Sequence, residues 1–144
     1  MPKIILVGVD GSESSRRAAT VAAELASSTG ATLHVLTAVD PRSVGGAQSE
    51  PGSLGDLRVV TPGETAEAIA AEVAHSLTGV TPHVESSPIQ GKPADALVEE
   101  AKRLGADLIV VGNRRVQGIG RILGSVATDV AQHAPCDVYI VKTV

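Results

Sequence analysis

Lys3-Ile4-Ile5-Leu6-Val7-Gly8-Val9-Asp10-Gly11-Ser12 decides the architecture. A nearly unbroken aliphatic run from Lys3 to Val9 that halts at an aspartate and a glycine is the pattern of a strand buried on both faces, central in a parallel sheet. A helix follows: Ser12 is a candidate N-cap, and Ala18, Ala19, Val21, Ala22, Leu25 and Ala26 recur at helical spacing until Gly30. Ala31 to Val39 reads as a second strand, again closed by an aspartate, Asp40. The same grammar predicts a helix over 63–77, a weaker strand over 82–87, a helix opened by Gly91-Lys92-Pro93 and running through Lys102, and a strand over 106–111 halted by Gly112. A short helix over 125–133 and a last strand over 137–143 complete the pattern. Strict alternation of strands and helices implies an open five-stranded parallel sheet with right-handed crossovers and helices on both faces. The stretch from Pro41 to Pro62, rich in Gly, Pro and Ser, reads as one long surface loop, the chain's best candidate for disorder.

The rest of the chain agrees with one compact domain over its 144 residues, 43% of them hydrophobic and 19% charged. A chain of this size buries about 70% of the surface its unfolded form exposes, enough to fold without disulfides or a structural metal. Its single cysteine, Cys136, can close no intramolecular bridge. A formal charge of −4 argues against a nucleic-acid partner. Tyr139, the only aromatic residue, offers neither a stacking platform for single strands nor an interfacial belt. The first residues lack the apolar core and cleavage site of a signal peptide, and no apolar stretch approaches the roughly 20 residues that span a bilayer. A cytoplasmic protein is expected.

In open parallel sheets ligands bind beyond the carboxyl ends of the strands, where the strand order reverses. The ends to inspect are Asp10, Ala38 to Asp40, Ser87 and Gly112. Directly after the fourth strand stands Gly112-Asn113-Arg114-Arg115-Val116-Gln117-Gly118-Ile119-Gly120-Arg121-Ile122-Leu123-Gly124-Ser125. Glycines let backbone amides approach phosphate oxygens, the helix beginning at Ser125 turns its positive end toward an anion, and three arginines add charge-assisted donors. A solvated basic loop with a serine cap is the bland alternative. The spacing is neither the dinucleotide GxGxxG nor a P-loop. His34, His75, His83 and His133 share no metal-ligand spacing, and Cys136 has no base beside it.

These residues together resemble the universal stress proteins: Val9-Asp10-Gly11-Ser12-Glu13-Ser14-Ser15, the Gly91-Lys92-Pro93 turn, Asp107-Leu108-Ile109-Val110-Val111-Gly112-Asn113, Leu123-Gly124-Ser125-Val126 and Ala134-Pro135-Cys136-Asp137-Val138-Tyr139-Ile140-Val141. The resemblance spans the chain and implies a flavodoxin-like domain, many relatives of which bind ATP through G-x2-G-x9-G-[S/T]. This chain departs from that pattern. Gly112 is present, but the second glycine falls on Arg115, and eight residues, Val116 to Leu123, stand before Gly124 in place of nine. Arg115 either substitutes a guanidinium for backbone amides or fills the cradle.

By position the resemblance gives Asp10 an acceptor role toward adenosine, against the plainer reading that it organises the turn after the strand. Val9 and Ala38 would meet the nucleoside and base, or are plain core. Gly112, Asn113, Gly124, Ser125 and Val126 would hold phosphate oxygens through amides and the Ser125 hydroxyl, and Val111 belongs to the same set. The implied ligand is ATP, with Mg²⁺ accompanying it, or a single-phosphate nucleotide such as AMP or cAMP, the last compatible with an altered phosphate loop. A binding module that signals through its bound state is favoured over an ATPase or phosphotransferase, because no positioned base or carboxylate pair is recognisable. A phosphoreceiver needs an aspartate at the end of the third strand, where Ser86 and Ser87 stand in this reading. The resemblance also implies a homodimer through the strand Asp137 to Val144, which would otherwise be an apolar edge.

Overall fold

In a computed structural model of the chain, which describes residues 2–39, 61–114 and 124–143, strands and helices alternate as the sequence implies. The order is β1 (Ile4–Gly8), α1 (Glu13–Thr29), β2 (Thr32–Val39), α2 (Pro62–Ser76), β3 (Val84–Gln90), α3 (Pro93–Leu104), β4 (Leu108–Gly112), α4 (Ser125–His133) and β5 (Asp137–Val141). The five strands pair in parallel in the order β3-β2-β1-β4-β5, the flavodoxin-like arrangement. The order reverses between β1 and β4, which makes their carboxyl ends the switch point.

Alternation along each strand divides the core into two layers. Ile5, Val7, Leu33, Val35 and Val110 pack against α1 and α2; Leu6, Leu36, Ile109 and Val111 pack against α3 and α4. On α1 the buried face is all alanine (Ala18, Ala19, Ala22, Ala23 and Ala26), so the helix backbone can lie close to the sheet without large side chains between them. Isoleucines, leucines and valines of the strands supply most of the buried bulk.

Local chemistry sets the helix ends. The Ser12 hydroxyl accepts from the Ser15 amide at 3.1 Å, and Gly30 closes α1 at φ 75°, a left-handed conformation suited to glycine. At α2, Thr61 and Glu64 form a reciprocal capping box. The helix starts one residue earlier than its sequence suggests, because Pro62 takes the first helical position, where a missing N–H costs nothing. Asp40 and most of the predicted loop lie outside the described residues.

Two strands end two or more residues from where the sequence predicts. β3 begins at Val84 and runs to Gln90, past the predicted end at Ser87, along a ladder from Leu33–Val84 to Val39–Gln90. Glu85, Ser86 and Pro88 disguise it, and all are tolerated because β3 is an edge strand with one side unpaired. The third strand therefore closes on Ile89 and Gln90, again with no aspartate for a phosphoreceiver. β5 stops at Val141, and Thr143 turns into a side-chain network instead of extending the ladder.

Candidate functional site

A cleft of about 250 Å³ opens at the carboxyl ends of β1, β2 and β4. Gly8, Val9 and Asp10 come to it from the first strand, Leu36, Thr37 and Ala38 from the second, Ile89 from the third, and Val111, Gly112 and Arg114 from the fourth. Ser12, Ser14 and Ser15 close one side from the start of α1; Pro93 and Leu97 of α3 and Val126 of α4 close the other. At Gly8 an added Cβ would stand 2.9 Å from Leu97 Cδ1, so glycine is what lets α3 approach the floor.

Asp10 organises the turn that leaves β1. Its Oδ1 accepts from the Ser12 amide at 2.9 Å, while Gly11 between them adopts φ 87°. Its Oδ2 accepts from Arg114 Nη2 at 2.9 Å, an ion pair half-exposed at the rim that ties the exits of β1 and β4 together. Partial burial works to raise its pKa, but hydrogen bonds from the hydroxyl and amide of Ser12 and from Ser15, with the Arg114 charge, outweigh it and hold the carboxyl below its ordinary value. Asp10 stands in the cleft as an anion with two partnered oxygens.

Asn113 has a structural task. Its Oδ1 accepts from the Thr143 amide at 2.9 Å and from the Thr143 hydroxyl at 3.2 Å. The same hydroxyl bonds Ser14 Oγ, and Arg17 Nη1 donates to the Thr143 carbonyl at 3.3 Å. Thr143, 4% exposed, is thereby fixed over Gly112, whose absent side chain leaves it room: a Cβ there would lie 3.2 Å from Thr143 Oγ1.

Helix starts differ in how they are finished. α1 and α2 carry side-chain caps, whereas α3 begins after Lys92 and α4 after Gly124 with none. The first-turn amides of α4 lack a capping side chain at its N-cap and lie beside the cleft, the condition under which a helix start attracts an anion. Ser125 lies in a neighbouring pocket with Lys92, Asp95 and Asp129, and Pro93 and Val126 form the wall common to both.

Of the predicted site residues, Val9, Asp10, Ala38, Val111, Gly112 and Val126 line the cleft. Gly124 and Ser125 stand at its α4 end, Asn113 braces it from behind, and Arg115 lies outside the described residues. Sequence reasoning missed Thr37, Ile89 and Leu97. Ile89 was hidden by the misplaced end of β3. Thr37 left one trace, a polar side chain inside an aliphatic strand. It is 5% exposed, and its Oγ1 is buried without a hydrogen-bond partner, the one such side-chain atom among the described residues. Away from the cleft, His34 approaches Glu85 at 3.9 Å, and burial, with Asp137 and Asp107 nearby, pushes the Cys136 thiol up, the opposite of an activated nucleophile. No helix among the described residues is long and apolar enough to cross a membrane.

Known proteins match the chain over nearly its whole length. The universal stress protein family model matches residues 1–142. A universal stress protein of Thermus aquaticus is 40% identical over 143 residues, covering 99% of this chain and all of the relative. One from Mycobacterium tuberculosis is 38% identical over 144 residues, covering 98% of this chain and 97% of the relative. Among solved structures, a universal stress protein in complex with cAMP superposes with a TM-score of 0.76 at 37% identity, covering 99% of both chains. With a family model matched over nearly its whole length and relatives this similar, the chain belongs to the universal stress protein family.

Proposed function

We propose that this chain binds an adenine nucleotide in the cleft at the β1–β4 switch point and acts through its bound state, without turnover. One observation carries the reading: a mostly apolar cleft at the strand tips adjoins a helix start, that of α4, that no N-cap side chain finishes. Val9, Ala38, Ile89 and Val111 offer apolar surface to a base and sugar. Asp10 keeps unused lone pairs for a sugar hydroxyl, since a carboxylate offers about four acceptor positions. Phosphates would lie toward Gly112 and the amides of Ser125 and Val126, with Arg114 lending guanidinium donors beyond the one given to Asp10. A bound nucleotide supplies the phosphate charge that these donors answer.

The ligand that the sequence resemblance implies is ATP, with Mg²⁺ accompanying its phosphates. A second reading, cAMP, is favoured by the similar solved complex and by the substitution of Arg115 for a motif glycine. Melting curves with ATP, ADP, AMP and cAMP, each with and without Mg²⁺, decide between them. A true ligand at a hundred times its Kd stabilises the native state by about 2.7 kcal/mol and raises Tm by roughly 8 °C. A flat panel overturns the proposal, and steady phosphate release from saturating ATP would replace it with catalysis.

We further propose a homodimer formed through β5, an edge strand whose Tyr139 is 45% exposed.

A further inference from the structure

The strand tips hold a hydroxyl that the fold does not use. Thr37 stands on β2 one residue before Ala38, lines the cleft, and has a buried Oγ1 with no partner. A valine of the same shape would fill that position without leaving a polar atom dry, so threonine there costs stability in the ligand-free protein. Unpartnered buried polar atoms are uncommon in native structures, and one at the wall of a binding cleft is explained when the ligand completes it.

We propose that Thr37 is a specificity-determining contact for the nucleoside part of the ligand, its hydroxyl exchanging a hydrogen bond with base or sugar. The assignment rests on the nucleotide reading above. Topology separates this contact from the phosphates: β1 lies between β2 and β4, so Thr37 stands two strand spacings, about 10 Å, from the Gly112 end. The other residues that line the cleft from β2 and β3, Leu36, Ala38 and Ile89, are apolar, so a hydrogen bond made at that end of the cleft is shielded from competing water. A hydroxyl both donates and accepts, so it discriminates against apolar surface at that point of the ligand and leaves phosphate number unread.

The experiment is calorimetric titration of adenosine, AMP, cAMP and ATP into wild type, Thr37→Val and Thr37→Ser, alongside melting of the three ligand-free proteins. Thr37→Val weakens every one of the four ligands that wild type binds by the same factor, on the order of tenfold, while Thr37→Ser stays within about threefold of wild type. The ligand-free valine variant melts no lower than wild type, a split between affinity and stability that a merely structural threonine would not give. Unchanged affinity in Thr37→Val, or a loss that grows with phosphate number, overturns the assignment and leaves the nucleotide reading standing. A ligand-free valine variant melting several degrees lower also overturns it, because the hydroxyl would then have a partner within the fold. Wild type that takes up none of the four removes the nucleotide reading and Thr37's role with it.

Discussion

Asp10 shows how one side chain can serve the fold and remain available to a ligand. Its Oδ1 shapes the turn through the Ser12 amide and its Oδ2 holds Arg114 across the cleft mouth. The folded-state pKa is depressed, so the unfolded chain takes up the proton first as pH falls. The stabilisation is therefore complete at neutral pH, starts to fade as pH drops into the ordinary aspartate range, and is gone once pH has fallen below the depressed folded value. Asp10→Asn keeps an acceptor for Ser12 but gives up the charge facing Arg114. In urea titrations at pH 7 it should cost about 0.5–1 kcal/mol, a modest figure because the pair is half-exposed and screened. Near pH 3 the gap to wild type should narrow; an equal gap at both pH values would show that the Asp10 charge does not stabilise the fold.

Between elements, the network around Thr143 joins the end of β5 to the exit of β4 and the first turn of α1. Its hydroxyl and amide both meet Asn113, and the hydroxyl also meets Ser14, which lines the cleft. Thr143→Val retains shape and the amide bond but leaves Asn113 and Ser14 short of one partner each in a nearly dry position. Such losses cost about 1–2 kcal/mol. The midpoint in urea should fall accordingly with the slope unchanged, and amide exchange at Gly112 and Asn113 should quicken. A midpoint equal to wild type would mean that water replaces the hydroxyl at no cost.

For the molecule as a whole, the sheet leaves two edges, and they are built differently. β3 carries Glu85, Ser86, Ser87 and Pro88, polar or non-donating residues that discourage pairing. β5 has a charge only at its first residue, Asp137, and then carries Val138, Tyr139, Ile140 and Val141. Val138 and Ile140 pack partly against the layer of α3 and α4, and Val141 is buried on the opposite layer, which leaves Tyr139 as the exposed large residue of the strand. A symmetric pairing of two copies along β5 would cover it. Sedimentation at micromolar concentration should give the mass of a dimer, and Tyr139→Lys, placing like charges near the two-fold axis, should shift it toward monomer. A wild-type chain sedimenting as monomer would remove the dimer.

The order of strands and helices along the chain, the cap at Ser12, the stop at Gly30 and the cleft's place at the strand tips were all legible in the sequence. Each rests on side chains within a few positions of one another: an aliphatic run, a helical repeat, a hydroxyl three residues from the amide it accepts from. The resemblance carried by the glycine segment and the closing strand added the expected ligand class. What only the tertiary structure decided are relations across the chain. Arg114 meets Asp10 from 104 residues away, and Ser14 meets Thr143 from 129. β3 ends at Gln90 because β2 offers it a ladder that long, whatever its own polar residues suggest. Thr37 looks like an ordinary strand residue until sheet and helices close around it and supply no partner for its hydroxyl. Local propensity speaks over three or four residues, whereas burial and partnership are properties of a surface assembled from several elements at once.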